Sequence, residues 1–143
     1  MTETVNDEQT PDPSWEVQKA IFARLKRELP NVTVVDNVEA SEFVKTLPFV
    51  LIGDDTVMDE DNQVTNEYKV KAILKCHAKG MSRRDAKRLA HNVRQALKEP
   101  IEVEGFVNDE PISYHMGSHS VLIEGIAQAV FVEWGFDLLE DIG

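Results

Sequence analysis

The segment from Tyr68 to Leu97 constrains the fold more than any other part of the chain. Tyr68, Val70, Ala72, Leu74 and Cys76 alternate with Lys69, Lys71, Ile73, Lys75 and His77, the period of two that marks a strand buried on one face. Gly80 breaks the run. Ser82, with Asp85 three residues later, then has the form of a capping box, the acid standing at the positive end of a helix dipole. Ala86, Leu89, Ala90, Val93, Ala96 and Leu97 recur on a stripe roughly 120° wide, suited to packing on a sheet, and Pro100 closes the helix. A half-buried strand feeding an amphipathic helix requires a layered fold in which helix covers sheet.

The flanking sequence supplies the other elements. Asp12 followed by Pro13 reads as a helix N-cap with proline in the first turn. Val17, Ile21, Leu25 and Leu29, flanked by Trp15 and Phe22, share one side of that helix until Pro30 and Asn31 end it. Val32–Val35 and Phe49–Ile52 are predicted strands, and the mixed segment 36–47 carries a turn of helix around Phe43. Between Gly53 and Glu67 stand Asp54, Asp55, Asp59, Glu60, Asp61 and Glu67 with no base. Their mutual repulsion predicts an exposed, mobile, hairpin-like connection. Ile101–Val103, Ile112–Ile123 and Ile126–Phe136 read as strands, punctuated by Gly105, Pro111, Gly117 and Gly125.

The resulting order, α, β, β, β, α, β, β, β, predicts an α+β fold, a mainly antiparallel sheet with two helices packed on one face. A length of 143 residues with 42% hydrophobic content suits a single core. Residues 1–14 carry Glu3, Asp7, Glu8 and Asp12 and no base, so they are expected to be a flexible acidic tail. One domain is expected over residues 15–136, followed by an acidic end at 137–143.

Charge and cysteine content narrow the function. A net charge of −11 argues against affinity for phosphate backbones, because nucleic-acid binding draws on neutralising cations. The lone Cys76 excludes an internal disulfide and any all-cysteine metal site, and fits a reducing compartment. No apolar run approaches the roughly 18 residues of a membrane span, and the acidic N-terminal residues do not form a signal peptide. A soluble protein with no membrane partner is expected.

Candidate chemistry is sparse. His115 and His119 have metal-ligand spacing for a helix, but four residues along a strand is roughly 13 Å, too far for one ion. Asp59 and Asp61 open like a calcium loop, yet the sixth and twelfth positions, 64 and 70, are both valine. Cys76 lies on the apolar face of its strand as a small hydrophobe. No phosphate loop, serine elbow or catalytic carboxylate pair can be assembled. No catalytic, cofactor-binding or metal-binding residue is therefore expected.

The informative feature is charge placement. Lys79, Arg83, Arg84, Lys87, Arg88, Arg94 and Lys98 lie in residues 79–98 against Asp85 alone, so the remainder carries all but one of the 26 acids. Such a strip is either a solvated helix face or one half of a self-complementary contact. In the second reading, Arg83, Arg84, Lys87 and Arg88 of one subunit meet Asp54, Asp55, Asp59, Glu60 and Asp61 of the next. Unlike patches meet head to tail, which closes into a ring.

Ala20–Leu25 (AIFARL), Leu47–Asp54 (LPFVLIGD), the strand 68–78 running through Gly80 into Asp85–Leu97 (DAKRLAHNVRQAL), and the final β pair together resemble the tail-completion, or tail-terminator, proteins of long-tailed bacteriophages and gene transfer agents. The likeness spans roughly residues 15–136, and its motifs are structural. Two departures are Cys76 and His77, where an aromatic residue is expected before the second helix, and the additional acidic N-terminal tail. The resemblance implies a homohexameric ring on the head-proximal end of the tail tube, in a virion assembled in the host cytoplasm. Its partners would be itself, the tail tube protein and the head-tail connector protein, with no cofactor and with DNA passing through the hole unbound. Two alternatives are a neck or head-completion protein and a prophage-encoded accessory enzyme or nucleic-acid-binding factor.

Overall fold

A computed structural model describes residues 12–36, 48–59, 67–79, 82–107, 113–123 and 127–140. The order is α1 (Pro13–Glu28), β1 (Thr33–Val35), β2 (Phe49–Asp59), β3 (Glu67–His77), α2 (Arg83–Lys98), β4 (Phe106–Val107), β5 (Ser113–Ile123) and β6 (Ala127–Glu140). Both helices begin where side-chain chemistry dictates. The Asp12 carboxylate accepts from the backbone N–H groups of Ser14 and Trp15 at 3.0 and 3.4 Å, and the Ser82 hydroxyl accepts from that of Asp85 at 3.2 Å. Each thereby satisfies a donor that a first helical turn leaves without an intrahelical partner. The turn of helix expected around Phe43 lies outside the described residues.

The strands form one mixed, mainly antiparallel sheet ordered β1-β2-β3-β6, with β4 and β5 both pairing the outer side of β6. Among the described residues only β1 and β2 are parallel. The two helices among the described residues lie on one face, as expected, with α1 over β1, β2 and β3 and α2 over β3, β5 and β6. Val17, Ile21 and Leu25 of α1 and Ala86, Leu89, Ala90, Val93, Ala96 and Leu97 of α2 are buried there, against Val70, Ala72, Leu74 and Cys76 of β3 and Val130, Val132, Trp134 and Phe136 of β6. Full burial of a side chain such as Leu25 or Leu74 stabilises by about 1.5–3 kcal/mol. The opposite face has a smaller buried patch, where His77 stacks on Phe49 at 4.6 Å between ring centroids and meets Phe131 edge-on at 6.1 Å.

Three local expectations are corrected. The acidic run beginning at Gly53 is not all loop: β2 continues to Asp59, pairing with β3 as far as Asp59↔Tyr68. Long-range backbone pairing overrides the repulsion among the acids, and a register shift between Gly53 and Asp55 absorbs an extra residue. Ile101–Val103 forms no strand. Ile101 and Val103 are buried from an irregular segment, Gly105 turns the chain at a φ of 88°, and the pairing with β6 falls to Phe106–Val107. The last strand runs to Glu140, past residue 136, because Leu138 is buried in the core and Leu139 and Glu140 pair with β4.

Candidate assembly interface

Helical geometry fixes where the bases of α2 point. At 100° per residue, Arg83, Lys87 and Arg94 fall on one flank of the buried stripe, with Arg84 and Arg88 further round toward solvent. All but Arg94 are exposed. The Arg94 Nη1 donates to the Ser118 hydroxyl at 3.5 Å, so this flank faces β5. The other flank faces α1, whose Arg24 reaches the last turn of α2. Arg83, Arg84, Lys87 and Arg88, with His91 and Asn92, line a shallow basic hollow. Among the described residues none of the four bases makes an ion pair. Other bases do make ion pairs, as Lys19 does with Glu16, Arg27 with Glu28, Lys69 with Asp137 and Lys71 with Glu133.

The expected acidic counterpart stands at the other side of the subunit. Asp55 and Asp59 are exposed on β2, opposite Ala72 and Tyr68 of β3, on the helix-bearing face of the sheet. Asp55 accepts a hydrogen bond from the Ser14 hydroxyl at the start of α1. Asp54 occupies the register shift. Glu60 and Asp61 lie outside the described residues. Strands β3 and β6 separate β2 from β5, so acids and bases are held apart within one copy.

The remaining candidates have structural surroundings. A β-bulge between His115 and Gly117 turns His115 and His119 to opposite faces, against Trp134 and Phe131 respectively. No cluster of three or more metal-ligating groups occurs among the described residues. Cys76 is fully buried, and desolvation, opposed by Arg94, pushes its thiol up to about 12. Burial, helped by the positive charge of Lys75, brings the His77 imidazole down to about 4. Neither group is placed to attack a ligand. A groove of about 1030 Å³ lies between α1 and residues 100–106, with Arg24, Arg27, Glu102 and Glu104 on its walls. Among the described residues no helix is long and apolar enough to cross a membrane.

Sequence reasoning missed two surface features. Arg24 holds the end of α2, and its place within a helix gives no local sign of that distant role. Trp15 and Phe22, expected to flank the buried stripe, are 50% and 37% exposed, with Lys19 and Lys26 over their rings at 5.9 and 5.4 Å. Their spacing with the lysines one turn on was legible, because residues four apart meet on a helix surface.

No protein-family model matches the chain. Among solved structures it is similar to a chain in the virion of a native gene transfer agent particle, with a TM-score of 0.69 and 14% sequence identity, over 86% of this chain and 94% of that one. The likeness is one of fold. It extends through most of both chains, so the arrangement of helices layered on the sheet is a shared architecture.

Proposed function

We propose that this protein is a structural subunit of a phage-type or gene-transfer-agent virion, and that it caps the head-proximal end of the tail tube as a hexameric ring. The ring stops tube polymerisation and offers the head-tail connector a surface, with no bond made or broken. The observation that carries this reading is the near end-to-end fold likeness to a virion chain. The ordered sequence segments that resemble tail terminators support it from a separate direction.

The charge layout fits a ring. Unlike patches at the two sides of one subunit suit a heterologous contact, which closes when the rotation between neighbours divides a circle. An acidic lumen would repel passing DNA and let it slide. Arg83, Arg84, Lys87 and Arg88 belong at the contact between copies, and the acidic segment from Asp54 toward Glu67 reaches the neighbour or the tube.

Electron microscopy of tails assembled without this protein tests the role. Overlong tubes are expected; tubes of normal length that fail to join heads would instead make it a neck protein. Reversing Arg83, Arg84, Lys87 and Arg88 to glutamate tests the contact by light scattering. The mass is expected to fall to that of a subunit, and an unchanged assembly would remove the strip from the interface.

A further inference from the structure

Among the described residues the sheet has two open edges of unusual character. On one side β5 carries no Lys, Arg, Asp, Glu or Pro from Ser113 to Ile123, in a chain that is 29% charged. Charge and proline are the usual protections of an edge strand, whose outer N–H and C=O groups otherwise invite another strand. On the other side β1 covers only Phe49, Val50 and Leu51 of β2. Among the described residues, no strand pairs with β2 from Ile52 to Asp59 on that side, nor with the outer side of β5.

We propose that the outer edge of β5 pairs with the open part of β2 from a second copy of this chain, continuing one sheet from subunit to subunit. This rests on the ring reading above and gives that ring its main-chain contact. Strand direction supports the match. β2 is antiparallel to β3, β3 to β6 and β6 to β5, so β2 and β5 run in opposite directions. A neighbour placed beside β5 in the same orientation therefore presents its β2 antiparallel, the more stable pairing, and keeps its helices on the same face.

Charge supports the same match. Asp55 and Asp59 stand on the helix-bearing face of β2, and the basic flank of α2 overhangs β5 on that face, where Arg94 meets Ser118. The neighbour's two carboxylates thus come beside Arg83, Lys87 and Arg94, none of which makes an ion pair among the described residues of its own subunit. Val57, which lies between those acids on the same face and is 37% exposed, gains cover in the same step. Because the two edges differ, the contact is head to tail.

The test uses the full chain with Cys76 retained, since that thiol is buried. One preparation carries Val57→Cys and a second Ser120→Cys; Ser120 is exposed and faces the helix side opposite Val130. The two are cross-linked with a short bismaleimide, alone and mixed, on purified tube ends and at concentrations where light scattering detects multimers. The expected result is a cross-linked product in the mixture at least tenfold above either preparation alone. The double variant S118E/S120E should abolish multimers while its thermal unfolding matches the parent, and Asp55→Lys with Asp59→Lys in the same chain should restore them. Multimers that form without the mixed cross-link would overturn the edge pairing and leave the ring standing. Product in one preparation alone would overturn head-to-tail pairing in favour of like edges meeting. Absence of any multimer on tube ends or in solution would overturn this contact and the ring together.

Discussion

Arg24 of α1 donates through Nη1 to the carbonyl oxygen of Ala96 in the last turn of α2 at 2.9 Å. The same guanidinium reaches Glu99 and Pro100 carbonyls at 3.0 and 2.9 Å. One planar fork thus satisfies carbonyls that the end of α2 leaves without helical donors, places a cation at its negative pole and ties the two helices together.

Arg24→Ala should therefore destabilise the fold by about 1–3 kcal/mol, the range for hydrogen bonds from a charged group. Arg24→Lys should recover less than half, because an ammonium lacks the fork geometry. Urea unfolding of the three proteins measures this, and equal stability of Arg24→Lys and the parent would show that charge alone matters.

Gly135 provides a second test, at the sheet surface. A Cβ there would stand 2.7 Å from Cε2 of Tyr114 and 3.0 Å from Sδ of Met116, so the ring has to swing away and give up its hydrogen bond to Asp137 at 3.1 Å. Gly135→Ala is expected to cost about 1 kcal/mol. In a double-mutant cycle Tyr114→Ala should remove most of that cost, since the clash is with the ring.

His77 makes stability depend on pH in a defined window. Its folded value of about 4 lies below the ordinary 6.5, so between these values the unfolded chain binds a proton that the folded chain does not. The stabilisation is full above about pH 6.5 and is lost as the pH falls toward 4, by about 3 kcal/mol in all. His77→Phe keeps an aromatic ring against Phe49 and removes the titration. Comparing unfolding of the two proteins from pH 7 to 4 cancels the shared carboxylates, and the parent should lose about 3 kcal/mol more. Parallel curves would refute the assignment.

Cys76 should be inert while the protein is folded. With its thiol near 12 and no exposed surface, alkylation by iodoacetamide at pH 8 is expected to run roughly a thousandfold slower than for a free cysteine. Unfolding in urea should restore the ordinary rate. Rapid labelling of native protein would contradict the buried placement.

The parts of the fold legible in the sequence are those with local physical causes. Asp12 and Ser82 announce their helices because a cap needs only a side-chain oxygen within three residues of a free N–H. The alternation from Tyr68 to His77 reveals both faces of β3 because pleating fixes side-chain direction residue by residue. The far half of β2 was hidden, since Asp54, Asp55 and Asp59 look like loop until β3 supplies their backbone partners. The opposite facing of His115 and His119 was hidden too, because a bulge inserts a residue without any local mark except Gly117.

The candidate interface divides in the same way. Residue order alone determined that bases crowd one helix of an acidic chain and that two apolar helical stripes need a sheet to cover. Tertiary structure decided that the α2 flank overhangs β5, that the acids of β2 lie across the sheet from it, and that Arg24 closes the end of α2. Periodicity and capping act within a few residues and can be read along the chain, whereas strand order, register and the facing of two helices arise from contacts between residues far apart in sequence.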